Sequence, residues 1–173
     1  MVSADYIVGL TDGEGCFYVL VRPPYNKYGG ANVILNFFIK VQASDGEMLE
    51  QVKSTLGCGG LYFQKENRPN HSECIRYTVS SHKDIFSVII PFFQTHPLLG
   101  EGKIRNFQLF CKIANLVKDG KHHTKDGIEQ IQLLKSQMNH GARVVRESRS
   151  LRGDPELTQI QESARQVMEA GSG

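Results

Sequence analysis

The chain has 173 residues, of which 40% are hydrophobic and 22% charged, a balance typical of one globular domain and not of a disordered chain. Its net charge of +2 is too small to indicate a polyanionic partner, so a nucleic-acid role must rest on where the charges lie. The longest apolar runs, such as residues 85–93, are too short to span a bilayer, and residues 1–6 lack the basic segment of a signal peptide, so we expect an intracellular protein without a membrane partner.

The first predicted elements are a helix over residues 4–13 and strands over 16–22 and 32–42. Gly9 and Gly13 are four residues apart and therefore remove side chains from one face of the helix. The strand segments are rich in aromatic and β-branched residues, and a loop containing proline and glycine joins them. A second helix is predicted over about 45–56, with Asp45 as its cap and Gly57 as its end.

The second half of the chain predicts a hairpin and three helices. Residues 59–66 and 73–80 pair around a polar loop, and helices follow over roughly 82–93, 103–118 and 125–138. The order αββαββα with two further helices predicts an α+β fold: a four-stranded antiparallel sheet with helices on one face and the other face left for a partner. We expect a domain over 1–140 and a polar tail over 141–173, which forms at most a weak helix and ends in a linker-like Gly-Ser-Gly.

Two residue types that often mark metal centres show no such pattern here. Cys16, Cys58, Cys74 and Cys111 contain no C-x-x-C pair, so we expect reduced thiols and no zinc site. The six histidines lack the spacing of metal ligands on a helix and are interpreted as surface or loop residues. Nothing in the sequence indicates an organic cofactor.

The end of the first helix carries two acidic residues, Asp12 and Glu14, where the helix dipole disfavours negative charge. The helix surface at Gly9 and Gly13 has no side chains, so a second copy of the helix can approach it closely, which would bring two Glu14 carboxylates together. A divalent cation such as Mg²⁺ would relieve that repulsion. The alternative is that both acids are ordinary exposed residues at a helix end, and for an isolated D-G-E-G segment this is the more frequent case.

Residues 7–15, I-V-G-L-T-D-G-E-G, resemble the LAGLIDADG motif position by position. The similarity continues through F-F-I-K-V-Q, L-G-C-G-G-L-Y, I-I-P-F-F-Q-T-H-P-L-L, K-I-R-N-F and H-H-T-K-D-G-I, in the order of the single-motif LAGLIDADG homing endonucleases. It covers roughly residues 4–139 and is therefore much more specific than the motif alone.

The resemblance implies a homodimer that forms through the motif helices, with Ile7, Gly9, Leu10 and Gly13 at the interface. It also implies a divalent ion, Mg²⁺ with Ca²⁺ or Mn²⁺ as substitutes, held at Glu14 with Gly13 and Asp12 beside it. Asp12 either lies near the ion or accepts hydrogen bonds at the helix end. The family more often has Asp at the position of Glu14.

Two polar residues match the family's supporting positions. Gln42 would position a water, although Val41 takes its place in an alignment without a gap, and Lys103 would stabilise charge on the scissile phosphate. With Glu14, these are the predicted catalytic residues. The resemblance also implies an organelle, mitochondrion or chloroplast, as the compartment.

Double-stranded DNA is the implied partner, with the sheet lying in the major groove. Alternation along the strands places polar side chains on one face, and two loops extend the set. The predicted DNA-binding residues are Arg22, Asn26, Lys27, Asn32, Asn36, Lys40, Gln64, Arg68, Arg76 and Thr78. The alternative is an ordinary solvated sheet face. Two apolar residues, Ile34 and Phe38, also fall on this face, and we expect them either to abut the motif helix or to touch thymine methyl groups.

Three hypotheses of function remain. The first is a homodimeric, metal-dependent endonuclease that cuts a long pseudo-palindromic DNA site. The second is a non-cleaving nucleic-acid-binding protein of the same fold, such as an intron maturase or a DNA-binding regulator. The third is one half of a two-motif monomeric endonuclease. The presence of Glu14 and Lys103 favours a nuclease.

Overall fold

The computed structural model describes residues 1–22, 32–65 and 72–138. The predicted DNA-binding positions Asn26, Lys27 and Arg68 and the tail over 141–173 lie outside these residues. Met1–Met138 form one compact unit. The domain boundary at residue 140 stays a prediction.

The elements follow the predicted order αββαββα, with two more helices after it. The first half consists of α1 (Ala4–Glu14), β1 (Gly15–Arg22), β2 (Asn32–Gln42) and α2 (Gly46–Leu56). The second half consists of β3 (Gly60–Gln64), β4 (Cys74–Val79), α3 (His82–Asp84), α4 (Ile90–Thr95), α5 (Glu101–Lys118) and α6 (Lys125–Gln137).

Local sequence explains where several helices begin and end. The Ser3 side chain accepts a hydrogen bond from the Tyr6 backbone N–H and so caps α1, and the Thr124 side chain does the same for α6. α2 ends at Gly57, as predicted, because this residue has φ 68°, a left-handed conformation that glycine adopts without a steric penalty.

The helix predicted over roughly 82–93 consists of three helical segments in succession. α3 continues through a π-helical turn over Ile85–Ile89 into α4. Pro91 has no backbone N–H and cannot donate to the carbonyl of Ser87, four residues earlier. A wider helical turn just before the proline accommodates this gap in the hydrogen-bond ladder.

The four strands form one antiparallel sheet in the order β1-β2-β4-β3. The alternation predicted for the second strand is confirmed: Val33, Leu35, Phe37 and Ile39 are at most 2% exposed, whereas the residues between them are more exposed. Buried residues of the helices pack over this apolar face, so one side of the sheet is covered by the chain itself.

The core beneath the helices contains a cluster of aromatic rings. The Phe17 ring lies 5.3 Å from that of Phe37, 5.4 Å from that of Phe93 and 5.5 Å from that of Phe110, measured between centroids. These contacts join β1 and β2 to α4 and α5. Within the described residues, no helix has both the length and the apolar character needed to cross a membrane.

Candidate functional site

The junction between α1 and β1 is tight and needs a glycine. A Cβ atom on Gly15 would lie 2.6 Å from the Thr11 side chain and 2.8 Å from its backbone, so no larger residue fits without displacing the helix. The Gly15 backbone N–H donates to the Thr11 carbonyl. The chain therefore turns directly from helix to strand and leaves the Glu14 side chain exposed at the end of α1.

Lys103, from the first turn of α5, lies at the same end of α1. Its Nζ donates a hydrogen bond to the carbonyl oxygen of Gly15, the residue that follows Glu14. The last turn of α1 itself contains no basic residue. Lys103 thus supplies positive charge to a helix terminus that carries partial negative charge. The structure brings Lys103 and Glu14, two of the three predicted catalytic residues, to one place.

Asp12 holds α1 against the start of α5. Its two carboxylate oxygens accept hydrogen bonds from the backbone N–H groups of Leu99, at 2.9 Å, and Gly100, at 3.1 Å. Gly100 is the N-cap position of α5, where partial positive charge favours a carboxylate. Of the two roles that the sequence left open for Asp12, the structure supports hydrogen bonding at the helix end.

A groove of about 590 Å³ opens beside Glu14, between the end of α1, the end of β2 and the start of α2. Its lining residues are Leu10, Glu14, Lys40, Val41, Gln42, Asp45, Met48 and Cys74. Gln42 therefore shares a groove with Glu14. Val41, the alternative match to the supporting position, lines it as well, but only Gln42 carries a hydrogen-bonding side chain.

Asp45 is a groove residue that the sequence interpretation did not assign to the site. It occupies the N-cap position of α2, as predicted, but its side chain makes no capping hydrogen bond. In the described residues its carboxylate accepts one long hydrogen bond, of 3.5 Å, from the Ser44 hydroxyl. Its position directly before α2 predicted a helix cap, and no local pattern indicated a role in the groove.

The donor chemistry of the groove fits a hard divalent cation. Glu14 and Asp45 offer carboxylate oxygens and Gln42 an amide oxygen, the ligand types that Mg²⁺ and Ca²⁺ prefer. Within the described residues, no group of three or more His, Cys, Asp or Glu side chains is arranged to hold a metal ion. The described cysteines are free thiols.

The sheet face opposite the core is termed the open face. Direct cross-strand partners point to the same side of a sheet, so the register defines this face. Its residues are Cys16, Tyr18, Leu20 and Arg22 of β1; Asn32, Ile34, Asn36, Phe38, Lys40 and Gln42 of β2; Gly60, Tyr62 and Gln64 of β3; and Cys74, Arg76 and Thr78 of β4.

All predicted DNA-binding residues within the described strands lie on the open face. Arg22 pairs with Asn32 at one end, and Lys40 pairs with Arg76 at the end nearer to Glu14. Sequence reasoning missed Tyr18 and Tyr62, which are 39% and 58% exposed on the same face. The available signal was the period-two spacing that puts Tyr18 on the same strand face as Arg22, and Tyr62 on the same face as Gln64.

The pKa of Cys16 is affected by the charges at this end of the open face. Burial raises the pKa of its thiol, while Lys103 and Arg76 act in the opposite direction. Both cations therefore lie close enough to the Cys16 side chain to influence it. Lys103 and Arg76 therefore place positive charge around Cys16, two residues after Glu14.

The exposed side of α1 is almost free of side chains. Gly9 and Gly13 are exposed, and a Cβ added to either would have no heavy atom within 4 Å. Tyr6, which is 45% exposed, lies one turn before Gly9 and belongs to the same face. Sequence reasoning did not include it.

One residue predicted at the dimer interface needs correction. Ile7 is fully buried in the chain's own core, so its side chain offers no surface to a second helix. The periodicity of α1 turns Ile7, Val8 and Thr11 inward, whereas Gly9 and Gly13 face outward and Leu10 is half-buried beside the groove. The motif pattern alone does not show which residues of α1 face the core and which face outward.

Comparison with known proteins gives matches along most of the chain. Residues 7–114 match the family model described as LAGLIDADG endonuclease. "Probable intron-encoded endonuclease 3" of Neurospora crassa is 30% identical over 129 residues, which are 75% of this chain and 23% of that protein.

Solved structures match at the level of fold and sequence. The I-LtrWI LAGLIDADG homing endonuclease bound to target DNA has a TM-score of 0.72 and 33% identity over 80% of this chain and 45% of its own. I-SmaMI bound to an uncleaved DNA target in the presence of calcium ions has a TM-score of 0.70 and 31% identity, covering 79% of this chain and 45% of its own. The chain thus spans less than half the length of these proteins.

Proposed function

Because this chain belongs to the LAGLIDADG endonuclease family, we propose that it is a site-specific endonuclease that hydrolyses both strands of a long, pseudo-palindromic DNA target. The observation that carries the proposal is the exposed Glu14 carboxylate at the end of α1, which shares a groove with Gln42 and lies beside Lys103. The DNA complexes of I-LtrWI and I-SmaMI support the choice of double-stranded DNA as substrate.

The proposed chemistry depends on a divalent cation, and the groove's oxygen donors support Mg²⁺, with Ca²⁺ or Mn²⁺ as substitutes. Glu14 would hold the ion together with the corresponding acid of a second motif helix, with the Gly13 backbone beside it. A bound divalent cation supplies Lewis-acid stabilisation of the phosphate and lowers the pKa of a water molecule. The calcium-containing complex of I-SmaMI supports this choice of ion type.

The chain's own residues would orient the reactants. Gln42 offers an amide that donates and accepts hydrogen bonds, and it would align a water for attack on phosphorus. Lys103 would stabilise the negative charge that develops on the phosphate as the water oxygen bonds to phosphorus and the 3′-oxygen leaves. Its position at the Gly15 carbonyl keeps its ammonium group within the site.

A second motif helix would complete the site. Two glycines on an exposed helix face weaken the isolated helix by about 1 kcal/mol each, and no intramolecular contact in the described chain requires them. A helix packed closely against Gly9 and Gly13 would account for them. In a homodimer, α1 of a second copy fills this role. In a longer two-motif protein, a second motif in the same polypeptide does, and the partial coverage of I-LtrWI supports that arrangement.

The open face would lie in the major groove of the DNA. Arg22, Asn32, Asn36, Lys40, Gln64, Arg76 and Thr78 carry the donors and acceptors that base edges in this groove recognise. The neighbouring tyrosines, Tyr18 and Tyr62, would add apolar contact area. The name of the Neurospora relative supports a further proposal, that this protein is intron-encoded, and we propose an organelle as its compartment.

The function is tested by selecting DNA sites from a randomised duplex library in Ca²⁺ and then incubating the selected duplexes in Mg²⁺. We expect one long, palindrome-like site that is cut on both strands. A site that is bound but never cut would refute the nuclease and favour a non-cleaving binding protein. Sedimentation of the free chain as a strict monomer would count against the homodimer and favour a second motif in a longer polypeptide.

A further inference from the structure

Arg76 and Phe38 form a cation–aromatic pair on the open face, between its two inner strands, β2 and β4. The guanidinium carbon of Arg76 lies 4.5 Å from the centroid of the Phe38 ring. The two residues are on neighbouring strands, where Phe38 pairs with Thr78 and Arg76 pairs with Lys40, so the contact runs diagonally between β2 and β4. Such a contact is attractive because the face of the ring is electron-rich.

The pair explains why an aromatic residue stands on a polar face. Phe38 is half-buried, and its neighbours Phe37 and Ile39 both enter the core, so Phe38 cannot serve the core itself. Its ring centroid lies 6.4 Å from that of Tyr18 on β1. Phe38 is therefore supported on one side by Tyr18 and lies beneath Arg76 on the other.

Arg76 has no other partner within the described part of the chain. It pairs with no carboxylate there, and its Nε is buried without a hydrogen bond. Lys40 lies directly across from it, and Lys103 acts on the same thiol, Cys16, as Arg76 does. Arg76 thus lies on an aromatic ring and near other cations, without a carboxylate partner in the described chain. Its guanidinium can therefore bind an acceptor on another molecule.

The position and the geometry of Arg76 favour a base as that acceptor. β4 is an inner strand of the sheet, between β2 and β3, so Arg76 lies on neither edge strand of the open face. Burial of Nε leaves the two terminal nitrogens as the free edge of a planar group. That edge matches the O6 and N7 acceptors of guanine, which lie side by side in the major groove.

We propose that Phe38 is a positioning residue that orients Arg76 for bidentate recognition of one guanine in each half of the target, an inference that rests on the proposed function. Phe38 itself reads no base. Its ring limits the orientations of the guanidinium, so that the arginine reads guanine with a smaller loss of side-chain freedom on binding. The specificity at this base pair thus depends on two residues, of which only one contacts the DNA.

The test is a competition binding assay in Ca²⁺ with the duplex that the wild-type protein selects, in which each base pair is replaced in turn. We expect Arg76→Ala to reduce the preference for guanine at one position by roughly 5- to 100-fold. Phe38→Leu, which keeps the apolar volume but removes the ring, is expected to reduce the same preference roughly 3- to 10-fold. Phe38→Tyr, which keeps the ring, should retain it.

Ile34→Val is the matched control, since Ile34 lies on the same strand and face as Phe38 but is not a member of the cation–aromatic pair. It should leave the guanine preference at this position unchanged. Thermal melting of each variant identifies any that fail to fold.

Two results would overturn the inference. If Phe38→Leu retains the preference that Arg76→Ala loses, the ring does not position the arginine. If Arg76→Ala weakens binding to every sequence equally, the arginine contacts a phosphate and not a base. A wild-type protein that binds its site but does not cut it would refute the nuclease alone, because this assay measures binding. A wild-type protein that selects no DNA would overturn both proposals.

Discussion

The two faces of the sheet differ in how their side chains find partners. On the covered face, Phe37 is fully buried and contacts other aromatic rings of the core. On the open face, the described residues include two buried polar atoms without a hydrogen bond, Asn36 Oδ1 and Arg76 Nε. Because buried polar groups in proteins usually have partners, the open face carries the chemistry of an interface. The chain completes one face itself and leaves the other open, as the proposed DNA binding requires.

Two adjacent phenylalanines of β2 show the difference between the two faces most clearly. Phe37 and Phe38 follow each other in β2 and point to opposite faces. Phe37→Ala should lower the free energy of unfolding by about 3–5 kcal/mol, since it removes a fully buried ring. Phe38→Ala should cost about 1 kcal/mol, because its ring is only half-buried. Urea denaturation measures both, and equal costs would mean that both faces contribute equally to the core.

A second adjacent contrast divides the acids of α1. Both oxygens of Asp12 are bound to backbone N–H groups at the start of α5, whereas Glu14 is exposed and pairs with no cation in the described chain. Asp12→Asn replaces one of the two acceptor oxygens with an NH₂ group, which cannot accept a hydrogen bond, so we expect a loss of about 1–2 kcal/mol in stability. Glu14→Gln is the control and should change stability by less than about 0.5 kcal/mol. Urea denaturation measures both variants. If Glu14→Gln is less stable than Asp12→Asn, Glu14 and not Asp12 is the acid that stabilises the fold.

The open side of α1 gives a prediction in which stability and assembly change in opposite directions. Gly9→Ala or Gly13→Ala should stabilise the free chain by about 0.5–1 kcal/mol, because alanine favours the helix and its Cβ meets no atom. The same methyl group would separate two closely packed helices and weaken self-association, roughly tenfold or more, in sedimentation.

Gly102→Ala offers the matched control for that prediction, since Gly102 is an exposed helical glycine of α5 with equal space around it. It should leave self-association unchanged. If Gly9→Ala and Gly13→Ala associate as the unchanged chain does, α1 does not pack against α1 of a second copy.

The smallest expected effect lies far from both sheet faces, at His122. Burial lowers its pKa from 6.5, with smaller contributions from His123 and His82, and a hydrogen bond to the Val117 carbonyl acts in the opposite direction. A lowered pKa means that the unfolded chain binds the proton more readily, so stability falls as the pH drops below about 6.5. His122→Gln should make the decrease in melting temperature between pH 7 and pH 5 shallower. An unchanged slope would contradict this assignment.

The sequence predicted the covered side of the molecule well because that side obeys local rules. Alternation along β2 identified its buried residues, and Gly57 marked the end of α2 because few other residues adopt its conformation. The order of elements followed from the same patterns. The widened turn before Pro91 was missed, since the response of a helix to a proline depends on how its neighbours pack.

The site was predicted less completely because its contacts join distant parts of the chain. The hydrogen bonds of Asp12 to Leu99 and Gly100 span 87 and 88 positions, which no local pattern reveals. Ile7 was assigned to the wrong side of α1 because a motif defines residue types and not which of them face the core. Phe38 stayed ambiguous until Arg76 was found above its ring.

The central claim is that Glu14 performs the chemistry while the chain's fold and DNA binding do not depend on it. The most direct test compares cleavage of the selected duplex in Mg²⁺ by the wild-type protein and by Glu14→Gln, with binding measured separately in Ca²⁺. We predict that the variant binds the site with little loss of affinity and cuts it at least about 100-fold more slowly. A variant that cuts at the wild-type rate would contradict the claim.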